Sequence, residues 1–167
     1  MRPIVLALVL TVPCVLPAQQ PAGPPPPACT SAPFRAFDYW VGEWTVTDST
    51  GRQIAESSIT SVSAGCAIHE HWRPLRGTEG HSLSWYDSRD SAWHQQWIDG
   101  GGWIARFDGG MDGAVMQLTE VPSGDRPISR MRYEKRAGGV VRQSLWQSKD
   151  GGATWVLGFV GDYAPKP

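Results

Sequence analysis

The sequence predicts an all-β fold, an antiparallel up-and-down barrel of about 8–10 strands with a short N-terminal helical turn. Three observations carry this expectation. From Phe34 onward, short runs suited to strands are broken by turn residues every 8 to 12 positions. Nineteen Gly and 14 Pro accompany almost no helical periodicity in a chain of 167 residues, a length that suits one domain. Nine Trp require a core or a cleft large enough to take their rings.

Taken in order, the strands read as 39–48, 52–62, 66–73, 80–87, 92–99, 102–108, 113–120, 127–135, 139–148 and 154–161. The breaks between them carry turn chemistry: Asp48-Ser49-Thr50-Gly51, Asp87-Ser88-Arg89-Asp90, Gly100-Gly101-Gly102, Gly109-Gly110, Pro122-Ser123-Gly124-Asp125 and Gly138-Gly139. Only 32–37 reads as a helical turn. With no room for crossover helices, hairpin must follow hairpin. A sheet that long curls, and closing it removes both open edges.

Alternation assigns the faces. Pairing Trp85 with Trp93 puts the odd residues of both strands on one side: His81, Leu83, Trp85, Trp93, Gln95, Trp97 and Asp99. Trp103, Ala105 and Phe107 continue that side, and Trp72 set opposite His81 adds Glu70. The other side holds His69, His71, Ser82, Ser84, His94, Gln96 and Arg106. Burying the Trp-rich side removes the most apolar area from water, so it is expected inside.

Residues 1–18 read as a secretory signal peptide, with Arg2, an apolar run over Ile4–Leu16 and Pro17-Ala18 ahead of the cleavage point. The apolar run is too short for a stable membrane anchor, and neither Cys14 nor Cys29 has the flanks of a lipidation site. Residues 19–33 follow as a Pro-rich spacer and 34–164 as the barrel domain. Cleavage leaves Cys29 and Cys66, which in an oxidising compartment are expected to form one disulfide. The exported protein is therefore expected in the periplasm or secreted. A net charge of −1 argues against nucleic acid as a partner, and the absence of Asn removes any N-glycosylation sequon. Nothing in the chain specifies an oligomeric state.

Phe37-Asp38-Tyr39-Trp40-Val41-Gly42-Glu43-Trp44 resembles the opening motif of an uncharacterised family of exported bacterial lipocalin-like proteins. The likeness continues through Gly65-Cys66, through Glu70 and Trp72, and through Trp93, Gln95, Trp97 and Asp99, spanning roughly 34–163. It implies a calycin-type barrel and an export route, with Gly42 and Trp44 at the barrel end, and brings no reaction with it. A calycin-like group that binds haem through a late His differs here, because the last His is His94. Separately, Ser148, Asp150, Gly152, Thr154 and Trp155 fit the Asp-box pattern, and a single copy reads as a hairpin staple.

Glu70, Trp72, His81, Trp85, Trp93, Gln95, Trp97 and Asp99 form the expected ligand-binding set: a few polar groups in an aromatic cup. His69, His71 and His94 share the outer face and hold no metal in this reading. No nucleophile motif, phosphate loop or dinucleotide fingerprint is present, so no catalytic residue and no cofactor is assigned. The leading expectation is a non-enzymatic binder of a small hydrophobic or aromatic molecule. An enzyme of the same fold (an isomerase, cyclase or hydrolase) would act through Glu70, Asp99 or His81. A barrel filled by its own Trp would be a structural or interaction module.

Overall fold

The computed structural model describes residues 29–167; the expected signal peptide and the first part of the spacer lie outside them. Ten strands, β1 (Gly42–Thr47), β2 (Gln53–Val62), β3 (Ala67–Pro74), β4 (Gly80–Asp87), β5 (Ala92–Asp99), β6 (Ile104–Asp112), β7 (Val115–Glu120), β8 (Ile128–Lys135), β9 (Val141–Ser148) and β10 (Val156–Pro165), follow one another as antiparallel neighbours. Pairing of β1 with β10, from Trp44 with Pro165 to Thr47 with Asp162, closes the barrel. The expected fold class is the observed one. Among the described residues, no helix is long and apolar enough to cross a membrane.

The N-terminal segment is already part of the domain at Cys29, ahead of the boundary drawn at 34. Cys29 and Cys66 form the expected disulfide, with Cα atoms 5.0 Å apart. Arg35, at the end of helix α1 (Ala32–Arg35), pairs with Asp38 and donates from Nη1 to the carbonyls of Cys29 and Gly65. The chain then makes a 3-10 turn over Asp38–Trp40, which is why β1 starts at Gly42 and not at 39. That turn drives Phe37 and Trp40 into one end of the barrel, fully buried and stacked with centroids 4.9 Å apart. Trp44 is buried beside them and donates from Nε1 to the Trp40 carbonyl at 3.0 Å. Tyr39 pins the plug by donating to the Tyr133 carbonyl and accepting from the Met116 N–H.

Two strand boundaries differ for identifiable reasons. Gly109-Gly110 is no turn but lies inside β6, where a Cβ on Gly109 would collide with the Gln117 carbonyl of β7. Glycine there permits a close approach of two backbones rather than a reversal. The last strand starts later than expected because 148–155 is consumed by the staple, and it runs further, to Pro165, where its end pairs with β1. Ser148 Oγ donates to Asp150 and accepts from the Gly152 N–H, Asp150 accepts from the N–H and hydroxyl of Thr154, and Trp155 donates to the Gly152 carbonyl. Gly152 at φ +99° occupies backbone space that other residues resist. Arg130 lies over the Trp155 ring at 3.9 Å.

The register of β4 is the main correction. Trp72 pairs with Gly80 and His71 with His81, and on the other edge Tyr86 pairs with Trp93 and Trp85 with His94. Each hairpin is offset by one residue from the expected pairing. The offsets cancel across β4, so β3 and β5 keep their expected faces while β4 alone is turned over. His81, Leu83 and Trp85 point outward; Gly80, Ser82, Ser84 and Tyr86 point in. Turn chemistry sets part of this: Asp87 and Asp90 accept from the N–H groups of Arg89 and Ala92, and Ser91 takes a positive φ. Volume sets the rest. Between two strands carrying Glu70, Trp72, Gln95 and Trp97, only small side chains fit without overpacking.

Candidate ligand-binding cavity

The plugged end of the barrel carries the β2–β3, β4–β5, β6–β7 and β8–β9 turns. Toward the opposite end the interior is unfilled, leaving a cavity of about 180 Å³. Its floor is polar. Glu70 on β3, 4% exposed, accepts from Ser57 Oγ of β2 at 3.0 Å, from Ser82 Oγ of β4 at 3.2 Å and from Tyr163 of β10 at 3.3 Å. Tyr163 lies closer to Gln143 Oε1 of β9, at 2.8 Å. Gln143 in turn donates from Nε2 to the Tyr133 hydroxyl of β8 at 3.0 Å. Gln95 of β5 reaches Ser84 Oγ of β4 at 2.9 Å. A belt of side-chain hydrogen bonds therefore joins β3 to β2, β4 and β10, β10 to β9 and β9 to β8, with Gln95 and Ser84 joining β5 to β4.

Burial dominates the electrostatics of this belt. It raises the Glu70 carboxyl to about 7, although the three hydroxyl bonds pull the other way. Burial, with the Glu70 charge adding to it, also raises Tyr133 and Tyr163 well above the ordinary phenol value. Among the described residues, no Lys, Arg or His lines the cavity.

The walls are apolar and aromatic. Trp72 makes edge contact with Phe159 and a tilted contact with Tyr163, with centroids 6.3 and 6.1 Å apart. Trp97 and Trp103 lean together across the β5–β6 turn at 6.3 Å, and Trp103 is 37% exposed at the mouth. Phe107, Met131 and Leu145 complete the lining. Trp97 fits only because Gly80 faces it: a Cβ there would collide with the indole.

Of the eight expected site residues, Glu70, Trp72, Gln95 and Trp97 come together in this cavity. Trp93 is inside but belongs to the plug, against Phe37 and Tyr86. Asp99 stands at the mouth, where it holds the β5–β6 turn by accepting from the N–H groups of Gly101 and Trp103. His81 and Trp85 are outside, a consequence of the β4 register. His81 stacks on His71 at 4.3 Å and lies 3.1 Å from His69 Nε2, while Trp85 covers His94. His94 does not join the other imidazoles; it sits between Asp90 and Asp108, at 3.0 and 2.6 Å. His71, Glu79 and His81 bring one ligand atom each within 4.8 Å of one another, a grouping not anticipated from the sequence.

The residues not anticipated as site members are Trp103, Phe107, Met131, Tyr133, Gln143, Leu145, Phe159 and Tyr163. All but Trp103 lie on strands, and the same two-residue alternation carries Met131 and Tyr133, Gln143 and Leu145, and Phe159 and Tyr163 inward. Following the pairing round to β10 would have exposed this signal. No family model matches the chain, and no curated protein matches it at a significant level.

Proposed function

We propose that the protein is an exported binder of a small hydrophobic or aromatic molecule, held inside the barrel with its polar group on the floor formed by Glu70, Gln143 and Gln95. One observation carries the reading: an aromatic-walled cavity of about 180 Å³ whose polar groups converge at its base. A volume of this order takes one ring with a short substituent, since a cavity of about 150 Å³ accommodates benzene. The disulfide supports an oxidising compartment, periplasmic or external. Membership of the exported lipocalin-like family, on the likeness of residues 37–44, is part of the same proposal.

Native mass spectrometry of protein purified from its own host tests this. The expected result is a noncovalent adduct that leaves on denaturation. An adduct-free mass, together with Trp fluorescence that stays constant through titration with small aromatic compounds, would remove the reading.

A second reading, an enzyme of the same fold, is favoured by Glu70 alone. A carboxyl at about 7 is suited to exchange a proton near neutral pH. The other two candidates weaken it, because His81 faces away from the cavity and Asp99 is engaged in a turn. Glu70→Gln separates the readings: an enzyme loses turnover, whereas a binder keeps a measurable but altered affinity.

A further inference from the structure

We propose that the ligand is a small organic cation, a protonated amine carrying one ring, whose ammonium group sits against Glu70 while the ring lies among Trp72, Trp97 and Phe159. The inference rests on the binding reading above and adds the charge and size of what is bound.

Charge comes first. Glu70 is the one acid lining the cavity, and no basic side chain lines it or pairs with Glu70 among the described residues. The exposed acids around the barrel mostly have partners: Asp38 has Arg35, Asp162 has Arg142 and Glu56 has Lys166. The other buried interior carboxylate, Glu120, accepts from the Ser129 N–H. Glu70 has hydroxyl partners only, and hydroxyls cannot neutralise a charge. A buried carboxylate in that position is costly once ionised, and a cation supplied from the cavity would offset that cost where a proton no longer does.

The donor arrangement favours the ionised form. Ser57 and Ser82 aim one hydroxyl at each carboxylate oxygen, so the local geometry serves an acceptor on both sides. Tyr163 directs its shorter bond to Gln143, which leaves the third direction at Glu70, toward the cavity, weakly served. An ammonium N–H entering from the cavity would supply that bond and the missing charge together.

The walls select the same sign. Trp72, Trp97, Trp103, Phe159 and Tyr163 line the cavity, and a ring face turned toward a ligand offers it negative quadrupole potential. Asp99 adds a carboxylate at the mouth, within 3.4 Å of Trp97 Nε1. A carboxylate ligand would meet Glu70 and Asp99 with no cation among the lining residues to receive it. The volume of about 180 Å³ matches a single ring with a short arm.

The test uses three probes of one shape: phenethylamine, phenethyl alcohol and phenylacetate, titrated into the full protein by calorimetry and Trp fluorescence at a pH above the Glu70 midpoint. The amine is expected to bind at least about tenfold more tightly than the alcohol, with phenylacetate weakest. In Glu70→Gln the amine's advantage over the alcohol should shrink to within about threefold, whatever the change in the alcohol's own affinity. Alcohol binding as tight as amine binding in the wild-type protein would overturn the cation and leave the binding function standing. Binding of none of the three would overturn the proposed ligand class, and the host-purified mass would then decide the binding function separately. The wild-type comparison stands even if Glu70→Gln fails to fold.

Discussion

The indole of Trp97 lies over the backbone of Gly80, on the neighbouring strand, in space that any β-carbon at position 80 would occupy. This one contact links the register of β4 to the cavity wall. Gly80→Ala is expected to displace the ring, destabilise the barrel by about 1–3 kcal/mol and weaken binding of any aromatic ligand. The denaturation midpoint and the Trp emission maximum report the two effects. An unchanged midpoint and spectrum would mean that Trp97 is free to move and does not form a wall.

Glu70 should make the barrel less stable as pH rises. Its folded value is about 7 against an ordinary 4.5, so between those values the folded protein holds a proton that the unfolded chain has released. Stability then falls with pH across that window, by about 3 kcal/mol in all once the folded carboxyl ionises. The groups facing it are Ser57, Ser82 and Tyr163, with Tyr133 adjacent in the belt, and neither phenol titrates in this range. His69 is lowered by burial and by its imidazole neighbours, and therefore contributes a slope of opposite sign. The readout is the difference between wild type and Glu70→Gln in urea denaturation at about pH 5 and about pH 8. The two proteins should diverge toward high pH, with the variant the more stable there. Parallel profiles would contradict a buried, uncompensated carboxyl.

Reduction of Cys29–Cys66 should cost about 2–4 kcal/mol through release of the loop between them. It should also loosen the Arg35 contacts with the Cys29 and Gly65 carbonyls, and with them the plug at the closed end. Denaturation with and without reductant measures the cost. Thiol labelling of the unreduced, unfolded protein should modify neither residue.

Trp44→Ala should destabilise by about 3–5 kcal/mol, because the ring is buried at the closed end and the cavity left behind cannot refill. It also strands the Trp40 carbonyl that accepts from its Nε1. Trp85→Ala, on the outer face, should cost much less. A reversed order of the two midpoints would be incompatible with the register of β4.

The ten strands, the closed meander, the disulfide and the inward set Glu70, Trp72, Gln95 and Trp97 were legible in the sequence. Each follows from local rules: turn residues at short intervals, two-residue alternation, and two cysteines in one domain. The faces of β4 were not legible. Its residues alternate between an apolar reading (Leu83, Trp85) and a small polar one (Ser82, Ser84), and apolar area alone chooses the wrong side. What decides is the space left by strands on either side, which beside Glu70, Gln95 and Trp97 admits Gly80 and the two serines and only at the plugged end takes a ring, that of Tyr86. The cavity floor was hidden for a related reason, since Glu70 meets Tyr163 across 93 positions of sequence. Alternation determines which residues of one strand share a face; only closure of the barrel determines which strands' faces meet, because interior volume is shared among all ten and no strand carries the sum.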